Sequence, residues 1–333
     1  MRTGSDRRNF IRNGLLLSGA AGIAASGLAP VAATAQGLLK PFRRAGRYDD
    51  SFIFERKPYT WPGKKSLAVW IAPNVEVWNY ESAFGVGVSP NPGNLVPDAI
   101  NYGWREYGMR VGLWRFADVL DAAGLKATVA LNSKVCEEHP KAVQEMVKRG
   151  WEFMGHGVTN SETLANLPLD KEREVIKTVL TTIERSTGKK VRGWLGAGLT
   201  ETHNTLDILA EEGVTYCGDW NIDDQPYPMK VKSGKMYGIP YCMEINDIPL
   251  YIRKGYTGEQ YYRSLMDQFE GLLADSRKQP RVMGIPLHPM ISGQPLRIKY
   301  LQRALAEMKK RDGVWFATGG EIMDAYWKAN PDA

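Results

Sequence analysis

Two of the four histidines in this 333-residue chain stand where apolar segments stop. His156 closes the run at Met154-Gly155-His156-Gly157, and His288 closes Gly284-Ile285-Pro286-Leu287-His288-Pro289. An imidazole changes charge near neutrality, so two of them converging on one pocket could move protons at ordinary pH. Residue type alone leaves both equally open to being satisfied core histidines. His139 and His203 sit in polar helix-start contexts and read as surface residues. Two other segments supply what proton transfer needs beside it. Asn74-Val75-Glu76 follows an apolar run, and in extended chain residues 74 and 76 point the same way. Trp194-Leu195-Gly196-Ala197-Gly198 places a Gly-rich turn before a helix start, where backbone N–H groups can hold a developing oxyanion.

For such residues to meet, the elements that carry them must end on one rim. Apolar runs at Ser66–Ala72, Lys126–Leu131, Trp151–Met154, Val191–Leu195, Val214–Cys217, Arg281–Leu287 and Val314–Ala317 predict strands. Helices are predicted between them. Val111, Trp114, Ala117 and Leu120 recur at helical spacing before Gly124, His139–Arg149 stops at Gly150, and Asp170–Ser186 stops before Gly188. Thr202–Glu212, Gly258–Ser276, Leu296–Arg311 and Glu321–Lys328 continue the alternation. Strands alternating with helices specify a parallel sheet with helices outside, and about seven strands in roughly 250 residues favour a barrel whose strand ends face one pocket. No Gly-x-Gly-x-x-Gly follows the first strand and there is no P-loop, which disfavours a dinucleotide or NTP enzyme.

The N-terminus reads as an address. Asp6-Arg7-Arg8-Asn9-Phe10-Ile11-Arg12 has the form of a twin-arginine export motif, a mild apolar stretch runs from Leu15 to Leu28, and Ala33-Thr34-Ala35 offers a cleavage site. Gly19, Gly22, Ser26 and Gly27 make that stretch too weak for a membrane span. The expected organisation is a signal peptide over 1–35, a linker over 36–63 and one domain over 64–330, exported to the periplasm or an equivalent space. The formal net charge is +6, of which the leader holds four arginines and one aspartate. The remainder is close to neutral for its size, which argues against a nucleic-acid or membrane-surface partner. Cys136, Cys217 and Cys242 form an odd set without C-x-x-C spacing. The segment Val77–Ile100 reads as a lid or an oligomer contact, so a homo-oligomer is among the expectations.

The ordered strand ends resemble the polysaccharide deacetylases of carbohydrate esterase family 4, the NodB-homology fold. They look most like the branch that includes allantoinase-like and peptidoglycan-deacetylase-like amidohydrolases. Asn101-Tyr102-Gly103-Trp104-Arg105-Glu106-Tyr107-Gly108 and His288-Pro289-Met290-Ile291-Ser292-Gly293-Gln294-Pro295 carry the resemblance beside the strand ends, over roughly Pro62 to Lys328. It implies a distorted (β/α)7 barrel. In the family the first strand ends in two aspartates, a general base and a metal ligand. Asn74 and Glu76 stand there in this chain, and an asparagine cannot accept the proton. The family's His-x-x-x-His pair reads His156-x-x-x-Asn160, and an amide oxygen is a poorer zinc ligand than an imidazole. The resemblance thus implies one divalent metal, Zn²⁺ or similar, at Glu76, His156 and Asn160, with Glu162, Glu106 or Asp223 to complete the set. It gives His288 the role of protonating a leaving amine.

The chemistry that follows is hydrolysis of a carbon–nitrogen bond other than a peptide bond. Water must be activated, the oxyanion held and the amine protonated. His288 is the expected acid, with Glu76 or Glu106 on the water. Gly196, Ala197 and Gly198 form the expected oxyanion turn, with Trp194, Trp220, Asp223 and Arg105 as further substrate contacts and Trp104 another aromatic that could stack on a ring. For Glu106 an ion pair with Arg105 or Arg110 competes with a catalytic role, and for Asp223 and Asp224 a solvated turn before Pro226 does. Three functions stay open: an exported N-deacetylase of an N-acetylated glycan, a metal-independent allantoinase-like hydrolase of a small cyclic amide or ureide, and a non-catalytic carbohydrate-binding barrel. The leader favours the first and the Asn74 and Asn160 departures favour the second. Joint retention of His288, His156 and Glu76 counts against the third.

Overall fold

A strand with bonded neighbours on both edges and packing on both faces must be apolar throughout. β1 (Leu67–Val75) is that strand here, and all nine of its residues are buried. In the computed structural model, which describes residues 43–91 and 95–331, β1 lies parallel to β8 (Arg281–Leu287) along residues 67–73. Its other edge is shared. β9 (Val314–Phe316) pairs with its start, and β2 (Thr128–Leu131) pairs with its end at Asn74 and Val75. From β2 the sheet continues through β3 (Glu152–Gly155), β4 (Gly193–Trp194), β5 (Tyr216–Cys217) and β7 (Met236–Gly238), all parallel. β6 (Tyr227–Met229) is antiparallel to β7 and caps that edge. The result is a curled half-barrel of mostly parallel strands, with β1, β2, β3, β4, β5, β7 and β8 as its seven parallel staves.

The strand predicted at Val314–Ala317 is present as β9, a short strand beside the base of β1. The stave β7 was not predicted. A three-residue strand containing Gly238 and a hairpin partner containing Pro228 carry breaker residues and too little chain for a period to show. Within the expected linker over 36–63, the stretch 46–63 packs against the barrel. Trp61 is 1% exposed and donates Nε1–H to the Arg281 carbonyl at 3.0 Å, while Arg47 pairs with Asp207 at 3.0 Å. The leader 1–35 lies outside the described residues.

Successive side chains on a strand alternate faces, and this alternation positions the site. On β1, Leu67, Val69, Ile71 and Val75 join the outer apolar layer with the helices. Ala68, Trp70 and Ala72 face inward, where they join Ala130 of β2, Met154 of β3 and Val282 of β8. Two residues on from each inward series stand Asn74 and Glu76, Asn132, His156, and, at the end of the β8 series, His288. The loops at these strand ends therefore inherit an inward parity. Outside the sheet, Leu169–Thr187 and Gly258–Asp275 supply long amphipathic faces, the latter opened by a Thr257–Gln260 capping box. A π-helical turn at Gly108–Gly112 joins helix Ala99–Tyr107 to helix Leu113–Ala123. It brings backbone against the segment after His288, where a Cβ on Gly112 would sit 2.0 Å from the Pro289 carbonyl oxygen. Only glycine admits that approach.

Candidate active site

Glu76 is the centre on which the inward residues converge. Its Oε1 lies 3.0 Å from His156 Nε2 and 3.9 Å from His288 Nε2, and it accepts a hydrogen bond from Asn160 Nδ2. Its Oε2 is buried without a hydrogen-bond partner. His156 and His288, 2% and 3% exposed, come from strands 132 residues apart in sequence yet line one cavity of about 130 Å³ with Glu76, Asn74 and Asn160.

Each imidazole has its tautomer set by the group behind it. His156 Nδ1 faces the Leu195 carbonyl, which can only accept, so Nδ1 carries a proton. Its Nε2 then faces the Glu76 carboxylate. His288 Nδ1 donates to Asp247 Oδ1 at 2.6 Å and leaves Nε2 toward the cavity. Asp247 is fully buried, and its Oδ2 accepts from the His288 backbone N–H at 2.8 Å and from Ser292 Oγ at 2.7 Å. Burial drives His288 toward its neutral form, but the Asp247 and Glu76 carboxylates and the hydrogen bond to Asp247 outweigh it, so its pKa lies above the ordinary histidine value. A buried imidazolium held in one orientation by a carboxylate is suited to donate a proton.

Asn74, in the position the family gives to a base, is tied to structure. Its Nδ2 donates to Tyr241 Oη at 2.7 Å and to the Leu287 carbonyl at 3.2 Å. Asn160 is oriented by a relay that begins at a backbone donor. Val77 N–H donates to Asn132 Oδ1 at 3.0 Å, so Asn132 turns its Nδ2 to the Asn160 Oδ1 at 3.2 Å. Asn160 therefore offers N–H to Glu76 and not an oxygen to a cation. A tetrahedral zinc site with an open position needs three good protein ligands. Glu76 and His156 are two, and the third position presents a donor, so these residues do not fit the metal set that the resemblance implies. Elsewhere, Glu201, Cys217 and Asp219 bring three metal-type donor atoms within 4.8 Å of one another. Burial first, and then the neighbouring acid groups, push the Cys217 thiol well above its ordinary pKa.

The other expected residues separate from this centre. Glu106 lines a second cavity of about 400 Å³ with Trp78, Tyr102, Lys134, Glu138 and His139, and it makes neither of the ion pairs considered for it. Arg105 is buried, donates Nε–H to the Val86 carbonyl at 2.9 Å and stacks 5.0 Å over Trp78. It ties Val86 and Trp78 to its helix, and burial lowers its pKa. Trp104 packs half-buried against the core. Trp194 has the opposite parity to Leu195 and enters the outer layer, where its ring covers Gly155 beside Val179. Trp220 donates Nε1–H to Glu201 at 3.0 Å. Asp223 is held by Arg56 at 2.8 Å and accepts the Gln225 N–H at 2.9 Å, and it lines a third cavity of about 500 Å³. In the turn, the Gly196 N–H is engaged by Asp219 Oδ1 at 2.7 Å and Ala197 is buried, while Gly198 and Leu199 reach the cavity lined by Glu76. Glu162 is exposed. Sequence reasoning missed Asp247, Asn132 and Tyr241. Asn132 carries a usable signal, being two residues past the inward Ala130. Asp247 lies in a loop 41 residues before His288, and no periodicity marks it.

A family profile described as polysaccharide deacetylase matches residues 103–217. A Schizosaccharomyces pombe protein named for the same family is 25% identical over 301 residues, covering 81% of this chain and 93% of its own. Among solved structures, the Puue allantoinase superposes with a TM-score of 0.77 at 26% identity, covering 86% of this chain and 99% of that chain. A Pseudomonas aeruginosa protein described as a probable polysaccharide deacetylase gives 0.75 at 25% identity, covering 86% and 100%.

Proposed function

We propose that this chain, which is of the polysaccharide deacetylase type in sequence and fold, hydrolyses a non-peptide C–N bond of a small amide or ureide without a metal at Glu76 and His156. The convergence of two oriented histidines on Glu76 carries the reading. Glu76 Oε2, buried and unpartnered, takes a proton from water as the water oxygen bonds to the carbonyl carbon. The C–N bond then breaks, and the His288 Nε2 proton goes to the departing nitrogen. The products are an amine and an acid or carbamate. Asp247 fixes the His288 tautomer and favours its protonated form. Gly198 and Leu199 sit where the turn meets the cavity, so oxyanion stabilisation is assigned to their stretch of backbone and not to the Gly196 N–H.

The test is metal content beside activity. Purified protein offered Zn²⁺, Co²⁺, Mn²⁺ and Ni²⁺ should hold no stoichiometric metal at Glu76–His156, and its amide hydrolysis should survive chelator. One equivalent bound and lost in His156→Ala would establish a metal-dependent deacetylase instead. A second reading, N-deacetylation of an exported glycan, is favoured by the twin-arginine motif at Arg7-Arg8 and by the polysaccharide deacetylase profile. The two readings share the acid and differ in substrate and metal.

A further inference from the structure

The substrate of this cavity carries a carboxylate, and its counter-charge is Arg253. We infer this from how the charged side chains of the cavity wall are partnered, and it rests on the hydrolase reading above. Among the described residues lining the cavity, Glu76 faces His156 Nε2 and accepts from Asn160 Nδ2, and His288 Nδ1 donates to Asp247, so each of these side chains has a partner. Asn74, Asn160 and Asn246 are uncharged, and Leu199, Met243, Ile248 and Pro249 are apolar. Arg253 is left as a lining cation without an acidic partner among the described residues.

The backbone gives that cation a fixed place. Asp247, which holds His288, is immediately followed by the π-helical turn Ile248–Arg253. Asn246, Ile248, Pro249 and Arg253 of this one stretch all reach the cavity. The Lys254 N–H closes the turn on the Pro249 carbonyl at 2.9 Å, and the Tyr256 N–H returns to the Leu250 carbonyl at 3.0 Å. The residue that orients the acid and the residue that would receive an anion are thus six positions apart on one short, internally bonded wall. Arg253 itself is exposed, so it stands at the mouth while the reacting group lies deeper. A guanidinium binds a carboxylate through two parallel hydrogen bonds, fixing direction as well as charge. The matching substrate class is an N-carbamoyl or N-acyl amino acid, or a ureido acid, with its carboxylate outward and its C–N bond at His288.

The experiment uses N-carbamoylglycine and its uncharged methyl ester on the full-length wild-type protein and on Arg253→Gln and Arg253→Lys. Calorimetric binding and steady-state hydrolysis are both read. Arg253→Gln is expected to weaken the acid about tenfold or more, as loss of a charge-assisted contact does, seen in KM more than kcat. The ester should be unchanged, and Arg253→Lys should recover part of the loss. Tighter binding of the ester by wild type, equal losses for both ligands, or no binding of the acid would each overturn the assignment. Binding of the acid that depends on Arg253 without any hydrolysis would uphold the anion site and sink the hydrolase reading. Hydrolysis indifferent to the ligand's charge would do the reverse.

Discussion

At the scale of single residues, the site is a set of proton addresses fixed by neighbours. Asp247 raises the His288 pKa, so the sign of a pH effect can be worked out. A general acid loses activity as pH rises through its pKa, and Asp247→Asn should therefore move the alkaline limb of kcat to lower pH. His288→Ala should cost roughly 10²–10⁴ in kcat, and a pH–rate profile of both variants checks the pair. An unmoved limb in Asp247→Asn would remove Asp247 from the mechanism. Asn160 offers a complementary test. Asn160→His rebuilds the family's histidine pair beside Glu76, and with Asn74→Asp it should bind about one equivalent of zinc more than wild type. Elemental analysis reads this directly.

At the scale of elements, strand parity decides who enters the cavity. Trp194 and Leu195 are adjacent, yet one packs outward under the Leu169–Thr187 helix and the other inward. Trp194→Ala should therefore cost about 3–5 kcal/mol of stability, the usual range for a large buried aromatic, with KM unchanged. Denaturant melts and kinetics on the same preparation separate the two effects. Beneath the Gly196–Leu199 turn, burial raises the Asp219 and Glu201 carboxyl pKa values, with Glu201 adding repulsion at Asp219. Groups raised in the folded state stabilise it below their ordinary range near pH 4 and lose that contribution as pH rises through the folded values. The unfolding midpoint should fall as pH rises from about 4 toward neutrality, and Asp219→Asn should flatten the fall while keeping an acceptor for the Gly196 N–H.

For the whole molecule, the barrel type, the near-neutral charge outside the leader and the export motif belong together only if residues 1–35 are removed on the way out. Export is a proposal about this chain. A reporter fused after residue 63 should reach the periplasm of a bacterial host and be retained when Arg7 and Arg8 are both replaced by lysine. Retention of neither would leave the motif without a function. Within the described residues no helix is long and apolar enough to cross a membrane.

The sequence by itself determined the parallel α/β class, most of its strands, and which of its histidines end strands, because burial on two faces and a period of two or 3.6 leave a local record. It also placed Glu76, His156 and His288 on one list, since all three extend inward-facing series. The tertiary structure alone decided that they meet, that Asp247 stands behind His288, and that Asn160 turns its N–H to Glu76. It removed Trp194, Trp220, Asp223, Arg105 and Glu106 from the cavity and put Arg253 on its wall. These are relations between segments tens to hundreds of residues apart. A loop aspartate or a rim arginine has the same local chemistry wherever it lies, and only chain closure gives it a partner.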